Sequence, residues 1–179
     1  SRPLQMIRPH DAIQAVTYFT APVTGSEWAH QEVYLRALGT LPLVEVVLGR
    51  FKAKHIQCQV AACAHGGTKF FPVAEEKRTD VNIGVRMLDD AYRNRCDRLI
   101  LVSGDSDLVP ALSMVKLRFP AKEIIVYVPS RNPKRGAAVE LRSAADRHRA
   151  LPLEPLRHCQ FPATFPDGAG GMLVKPATW

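Results

Sequence analysis

Cysteine is scarce in this chain, long apolar runs are missing, and no leader opens it. The four cysteines, Cys58, Cys63, Cys96 and Cys159, are too few and too scattered for a secreted disulfide scaffold, so a reducing cytoplasm is the expected setting. Apolar runs such as Leu99–Val102 are short, far from the roughly 20 residues that cross a bilayer; a soluble protein with no membrane partner is expected. The sequence begins at Ser1 with neither an initiator Met nor a charged-then-apolar leader, which argues against a secretory signal and for residues removed or left out upstream. What is present, 179 residues of which 46% are apolar, suffices for one sizeable core.

Charge is unevenly spread. The net +7 favours a polyanionic partner, and it lies almost wholly in residues 116–179, which carry 11 Lys/Arg against 5 Asp/Glu, whereas residues 1–115 carry 13 against 12. Acids gather in the middle: Glu75, Glu76, Asp80, Asp89, Asp90, Asp97, Asp105 and Asp107 fall within 33 residues. An acidic centre beside a basic surface suits a metal-dependent enzyme acting on a polyanion; ordinary solvated surface charge is the plainer alternative.

Pattern and punctuation predict a strand over Ala12–Phe19, a helix over Glu27–Leu38 with Ser26 as N-cap and Gly39 as stop, and a strand over Leu43–Lys54. Residues 55–74 read as a hairpin-like excursion turning at Gly66-Gly67. Thr79 is expected to cap a helix running to about Asn94, whose stripe of Val81, Val85, Leu88 and Tyr92 should face the core. Leu99–Val102 and Ile124–Val128 read as buried parallel strands, and Asp107–Arg118 and Gly136–Arg149 as helices, with Pro110 in the first turn of the former. Repeated strand–helix alternation predicts a three-layer α/β/α domain with a mainly parallel central sheet over residues 1–150, and a Pro/Gly-rich tail over 151–179 that packs on it.

In open α/β sheets ligands bind beyond the carboxyl ends of the strands, which singles out Asp105 and Asp107 in the turn after the Leu99–Val102 run. Carboxylates are natural ligands of hard cations such as Mg²⁺ and Mn²⁺. Asp80, opening the preceding helix, can join them, since right-handed connections keep helix starts and strand ends on consistent sides; a plain first-turn acid on the helix dipole is the competing reading. Asp90 lies ten residues further along that helix, about 15 Å away, too far to share an ion with Asp80. It reads, with Asp89, as a surface or supporting acid pairing with Arg86 or Arg93.

The stretches Glu75–Asn82 (EEKRTDVN), Leu88–Ala91 (LDDA) and Leu101–Pro110 (LVSGDSDLVP), in this order and spacing, closely resemble the NYN branch of PIN-like nucleases. The resemblance covers nearly the whole chain, from Tyr18–Ala21 through Arg142–Asp146 to Lys175–Trp179. It implies a cytoplasmic endoribonuclease in which Asp80, Asp105 and Asp107 bind Mg²⁺ or Mn²⁺ and water attacks an RNA phosphodiester, leaving a 5′-phosphate and a 3′-hydroxyl. Asn82, Ser103, Lys77 and Asp90 would be supporting residues. It also implies a central strand ending in an Asp-Gly-x-Asn motif, whose Asp completes the metal site; none precedes Ser1, so an amino-terminally incomplete chain, or a degenerate relative, is expected.

The partner expected is RNA, gripped by Arg50, Lys52 and Lys54 or by Lys134, Arg135 and Arg142, all of which also fit a solubilising surface. Assembly as a homo-oligomer is open. His55, Cys58, Cys63 and His65 have the ligand chemistry for a structural Zn²⁺, though not the spacing of a standard knuckle; free thiols and two surface histidines are the alternative. Two rival functions stand beside the nuclease: a non-catalytic PIN-like module binding RNA or protein, and an Mg²⁺ phosphatase of the haloacid dehalogenase type. The latter needs, besides a Gly-Asp-x-x-Asp-like turn such as that at Asp105, a separate Asp-x-Asp nucleophile strand, which is expected to fall in the missing upstream region.

Overall fold

A computed structural model describes residues 8–60, 70–129 and 139–177. Two sets of β-branched runs form parallel sheets. Strand β1 (Val16–Thr20) pairs in parallel with β2 (Val44–Leu48), from Val16 opposite Val44 to Thr20 opposite Leu48, and helix α1 (Glu27–Gly39) connects them. The second sheet places β5 (Arg98–Val102) beside β6 (Glu123–Val128) and β6 beside β7 (Arg147–Ala150), again in parallel. Parallel neighbours require crossovers, supplied here by α3 (Val109–Arg118) between β5 and β6 and by α4 (Val139–Ala144) between β6 and β7. The described fold is thus mixed α/β with parallel sheets. Within it, no helix is long and apolar enough to cross a membrane.

Central position explains the burial of β6: with a strand on either side, Ile124–Val128 are all buried. Against it pack α3, through Leu112 and Val115, α4, through Leu141, and α2 (Thr79–Tyr92), through Met87 and Ala91. Truncating the fully buried Leu112 to Ala should cost about 3 kcal/mol in lost burial and residual cavity. Helix α2 lies across both sheets, for Arg86 also reaches Glu45 on β2 at 2.6 Å. Among the described residues β1 pairs only with β2 and β5 only with β6, so each presents one unpaired backbone edge.

Several expectations are corrected. The stripe on α2 does not face the core: Val81, Val85 and Tyr92 are 69%, 61% and 77% exposed, and the inward face is that of Met87, Ala91 and the partly buried Ile83. Periodicity identifies a shared face, not what covers it. Thr79 does not cap α2; Arg78 holds the N-cap position and the Thr79 hydroxyl donates to Glu76. Ser26 sits at the N-cap of α1 without a capping hydrogen bond, and the far end is closed by Thr40, whose hydroxyl donates to the Ala37 carbonyl at 2.8 Å.

The expected strand Leu43–Lys54 is two strands that part at Gly49. The Gly49 N–H donates to the Thr20 carbonyl, and a Cβ there would lie 2.6 Å from the Thr79 hydroxyl and 2.8 Å from the Lys77 carbonyl. Beyond it, β3 (Arg50–Gln57) and β4 (Phe70–Lys77) form an antiparallel hairpin, from Arg50 opposite Lys77 to Gln57 opposite Phe70; the expected turn at Gly66-Gly67 lies outside the described residues.

The helix expected over Gly136–Arg149 ends at Ala144. Asp146 redirects the chain: its N–H donates to the Ile124 carbonyl, its carboxylate accepts from the Ile124 N–H at 2.8 Å, and β7 follows as a wholly exposed Arg-His-Arg-Ala edge strand. Helix α5 (Leu153–Arg157) and the hairpin of β8 (Thr164–Pro166) with β9 (Met172–Val174) follow. Phe161 meets Tyr34 of α1 edge-on with centroids 6.2 Å apart, Asp167 pairs with Arg36 at 3.1 Å, and Leu173 is buried.

Candidate active site

The run Leu99–Val102 carries β5 to its carboxyl end, where two side chains fold the next residues into a tight mouth. The Ser103 hydroxyl accepts from the Asp105 N–H at 3.1 Å, and the Asp105 carboxylate accepts from the Asp107 N–H at 3.0 Å. Leu108, 1% exposed, pins the 3-10 turn Ser106–Leu108 to the core. Both acids are thereby held at the surface on a buried anchor.

Asp80 arrives from the first turn of α2. Asp80 is exposed, yet its pKa is raised from the ordinary aspartate value, first because neighbouring protein strips part of its water and then because Asp105, Asp107 and Glu76 add negative charge nearby. The structure places Asp80 and Asp107 on one cleft together with Glu76, which sequence reasoning did not select, and Asp105 beside Asp107 through its hydrogen bond to the Asp107 N–H. Among the described residues no Lys, Arg or His forms an ion pair with any of the three Asp residues.

Asp80, Asp107 and Glu76 border an open cleft of about 660 Å³. One wall carries Glu75, Glu76, Lys77, Arg78, Asp80 and Asp107; the other is apolar, with Val81, Val85 and Leu88 from α2 and Pro110, Ala111 and Met114 from α3. The helices meet closely because Gly84 lacks a side chain: a Cβ there would lie 3.2 Å from that of Ala111. Arg78, also not selected from sequence, holds a left-handed backbone at φ 80°, a conformation that costs a non-glycine residue about 1 kcal/mol or more. Neither Glu76 nor Arg78 carries a local sequence signal: FFPVAEEK does not alternate in polarity, and Arg78 lies beyond the end of β4.

The remaining candidates divide. Ser103 belongs to the acid turn, Lys77 lines the cleft while pairing with Glu75 at 2.7 Å, and Asn82 is half-buried one turn into α2. Asp90 stands outside the cleft lining, held by Arg86 at 3.0 Å and Arg95 at 2.8 Å, while Asp89 pairs with Arg93 at 2.8 Å. Arg50, Lys52 and Lys54 alternate along one face of β3, opposite Lys77, Glu75 and Val73. Arg142 lies on α4, its Nε buried with no hydrogen-bond partner among the described residues; Lys134 and Arg135 lie outside them. Of the zinc candidates, His55 is exposed on β3 and Cys58 half-buried just past it, while Cys63 and His65 lie outside the described residues.

Among the described residues no three His, Cys, Asp or Glu side chains form a ready-made metal cage. The donor set nevertheless suits a hard cation: hydrated Mg²⁺ needs only one or two carboxylates, and these repel one another without a protein cation to offset them.

Comparison with known proteins adds two findings. The NYN domain profile matches residues 34–152. The chain is also similar to 6-hydroxy-3-succinoylpyridine 3-monooxygenase HspA of Pseudomonas putida, 30% identical over 106 residues, a match covering 59% of this chain and 33% of that protein. The chain thus spans about a third of this relative's length.

Proposed function

The chain belongs to the NYN domain family, and from that premise we propose that it is a metal-dependent endoribonuclease of PIN-like, three-layer architecture. One observation carries the reading: Asp80 and Asp107 border one cleft and Asp105 braces Asp107, none of them ion-paired to a described cation, at the carboxyl end of a parallel strand. They would hold Mg²⁺ or Mn²⁺, which when bound supplies a Lewis-acidic centre that stabilises charge developing on a phosphate. The chain's own part is to fix the acids: Ser103 braces Asp105, Asp105 braces Asp107, and the first turn of α2 presents Asp80 and, beside it, Asn82.

Arg50, Lys52 and Lys54 form a basic ribbon that enters the cleft wall through Lys77, placed to hold the RNA backbone. The setting proposed is the cytoplasm. Monooxygenation, the activity in the relative's name, calls for activation of dioxygen, whereas clustered carboxylates suit hard cations and phosphate chemistry.

The test is cleavage of end-labelled RNA by the full-length protein with Mn²⁺ or Mg²⁺. Cleavage abolished by chelation and by Asp105→Asn supports the proposal. RNA left intact under both metals by a folded protein that still binds it would replace the enzyme with a binding module.

A further inference from the structure

The cleft does not end at the acids. Its apolar wall continues along α2, where Leu88 also lines a second cavity of about 550 Å³ with Asp89, Tyr92, Arg118 and Phe119. Val81, Val85 and Tyr92 on α2, and Met114 and Leu117 on α3, lie between 42% and 77% exposed. Isolated exposed apolar residues need no explanation, but a track of them along α2, from the acid cleft to a second cavity with Leu88 lining both, does. At the track's far end Arg118 makes no ion pair among the described residues, and Asp89, which lines the same cavity, pairs with Arg93 and Arg95 at 2.8 and 3.3 Å. From Asp80 to Tyr92 is twelve residues of helix, about 18 Å.

We infer that this track is a base-stacking path for single-stranded RNA, with the Tyr92–Arg118–Phe119 cavity receiving one unpaired base. The inference rests on the ribonuclease reading and names the substrate class for the same site. A single strand offers anionic phosphates and flat apolar base faces on one chain, matching carboxylates that carry a cation at one end of the cleft and an apolar wall with a free arginine at the other. A duplex keeps its base faces inside the stack and can offer the wall nothing. A second copy of this protein lying on the wall would cover Asp80 and Asp107, which line the same cleft.

The test is fluorescence anisotropy on the full-length protein with Ca²⁺ in place of Mn²⁺ to slow cleavage. It compares a labelled single-stranded RNA about a dozen nucleotides long with a duplex of equal length, in wild type and Tyr92→Ala. Tyr92 is 77% exposed, so the variant should fold, and an unchanged melting temperature checks it. Expected is a preference of about tenfold or more for the single strand, a rise of about tenfold in its Kd in the variant, and no change for the duplex. The variant should also be insensitive to one abasic position that weakens wild-type binding. Equal single-strand affinity in the two proteins, while RNA is still cleaved with Mn²⁺, overturns the inference and leaves the ribonuclease reading standing. Neither binding nor cleavage of any RNA by wild type overturns both. A dimer split by Val85→Asp without loss of single-strand affinity also overturns it, reassigning the wall to self-association.

Discussion

The two ends of the β5–β6–β7 sheet treat their acids in opposite ways. At the amino ends of the strands most acids have a cation: Asp11 pairs with Arg8 at 2.8 Å and with Arg98, Glu123 with Arg98 and, at 3.0 Å, with Arg147, and Asp146 with Lys116, while Asp97 forms no ion pair among the described residues. The hydrogen bond from Arg8 is the main reason that the Asp11 pKa is lowered, against the opposing effect of burial. At the carboxyl ends Asp80, Asp105 and Asp107 have one another, and the pKa of Asp80 is raised. The protein neutralises its acids where they only hold strands together. Where it leaves them uncompensated, the offsetting charge has to come from something bound, which is why the second end is the proposed site.

Breaking the unneutralised end should have the largest effect. Asp105→Asn keeps an oxygen to accept the Asp107 N–H, so the turn should survive, while loss of the charge should lower metal-dependent RNA cleavage about a hundredfold or more at an unchanged melting temperature. Breaking the neutralised end should do the reverse. Arg98→Met leaves Asp11 and Glu123 short of a partner and should cost about 1–2 kcal/mol, a fall of roughly 3–6 °C in Tm, without loss of cleavage.

The pH dependence sharpens the contrast. Asp11 and Asp146 have lowered pKa values, so their stabilisation is fully present above the ordinary carboxylate range and is lost as pH falls through their lower folded values. Acid unfolding followed by circular dichroism should lose part of that dependence in Arg98→Met. Asp80 works the other way: its raised pKa makes the metal-free protein lose stability as pH rises through the folded value. Asp80→Asn should therefore raise the metal-free Tm at neutral pH by on the order of one degree, and this gain should vanish below the ordinary carboxylate range.

On the basic ribbon, Lys52→Ala and Lys54→Ala should each weaken RNA binding a few-fold. Each should also reduce the salt-dependence slope by about 0.7, measured by titration at several salt concentrations.

How much of this was legible in sequence depended on the range of the forces involved. The turn from Ser103 to Asp107 was readable because it is local: an apolar run, a Gly and two acids whose side chains bond two residues along. The alternation of strands and helices was readable for the same reason. The face of α2 was not, because Val81, Val85 and Tyr92 satisfy helical spacing whether they meet a core or a cleft. The end of α4 was not, because the stop comes from Asp146 binding Ile124, more than twenty residues away in the chain. Gly49 concealed a strand break whose cause, the Thr79 hydroxyl, lies 30 positions on.

The most direct test of the contrast is Mn²⁺ uptake, followed as loss of the free-ion electron paramagnetic resonance signal, in wild type, the Asp80→Asn/Asp105→Asn double variant and Asp11→Asn. The account predicts uptake by wild type and Asp11→Asn and none by the double variant. Equal uptake by wild type and the double variant would show that the acids at the carboxyl ends do not hold the ion, and the proposed site would fall.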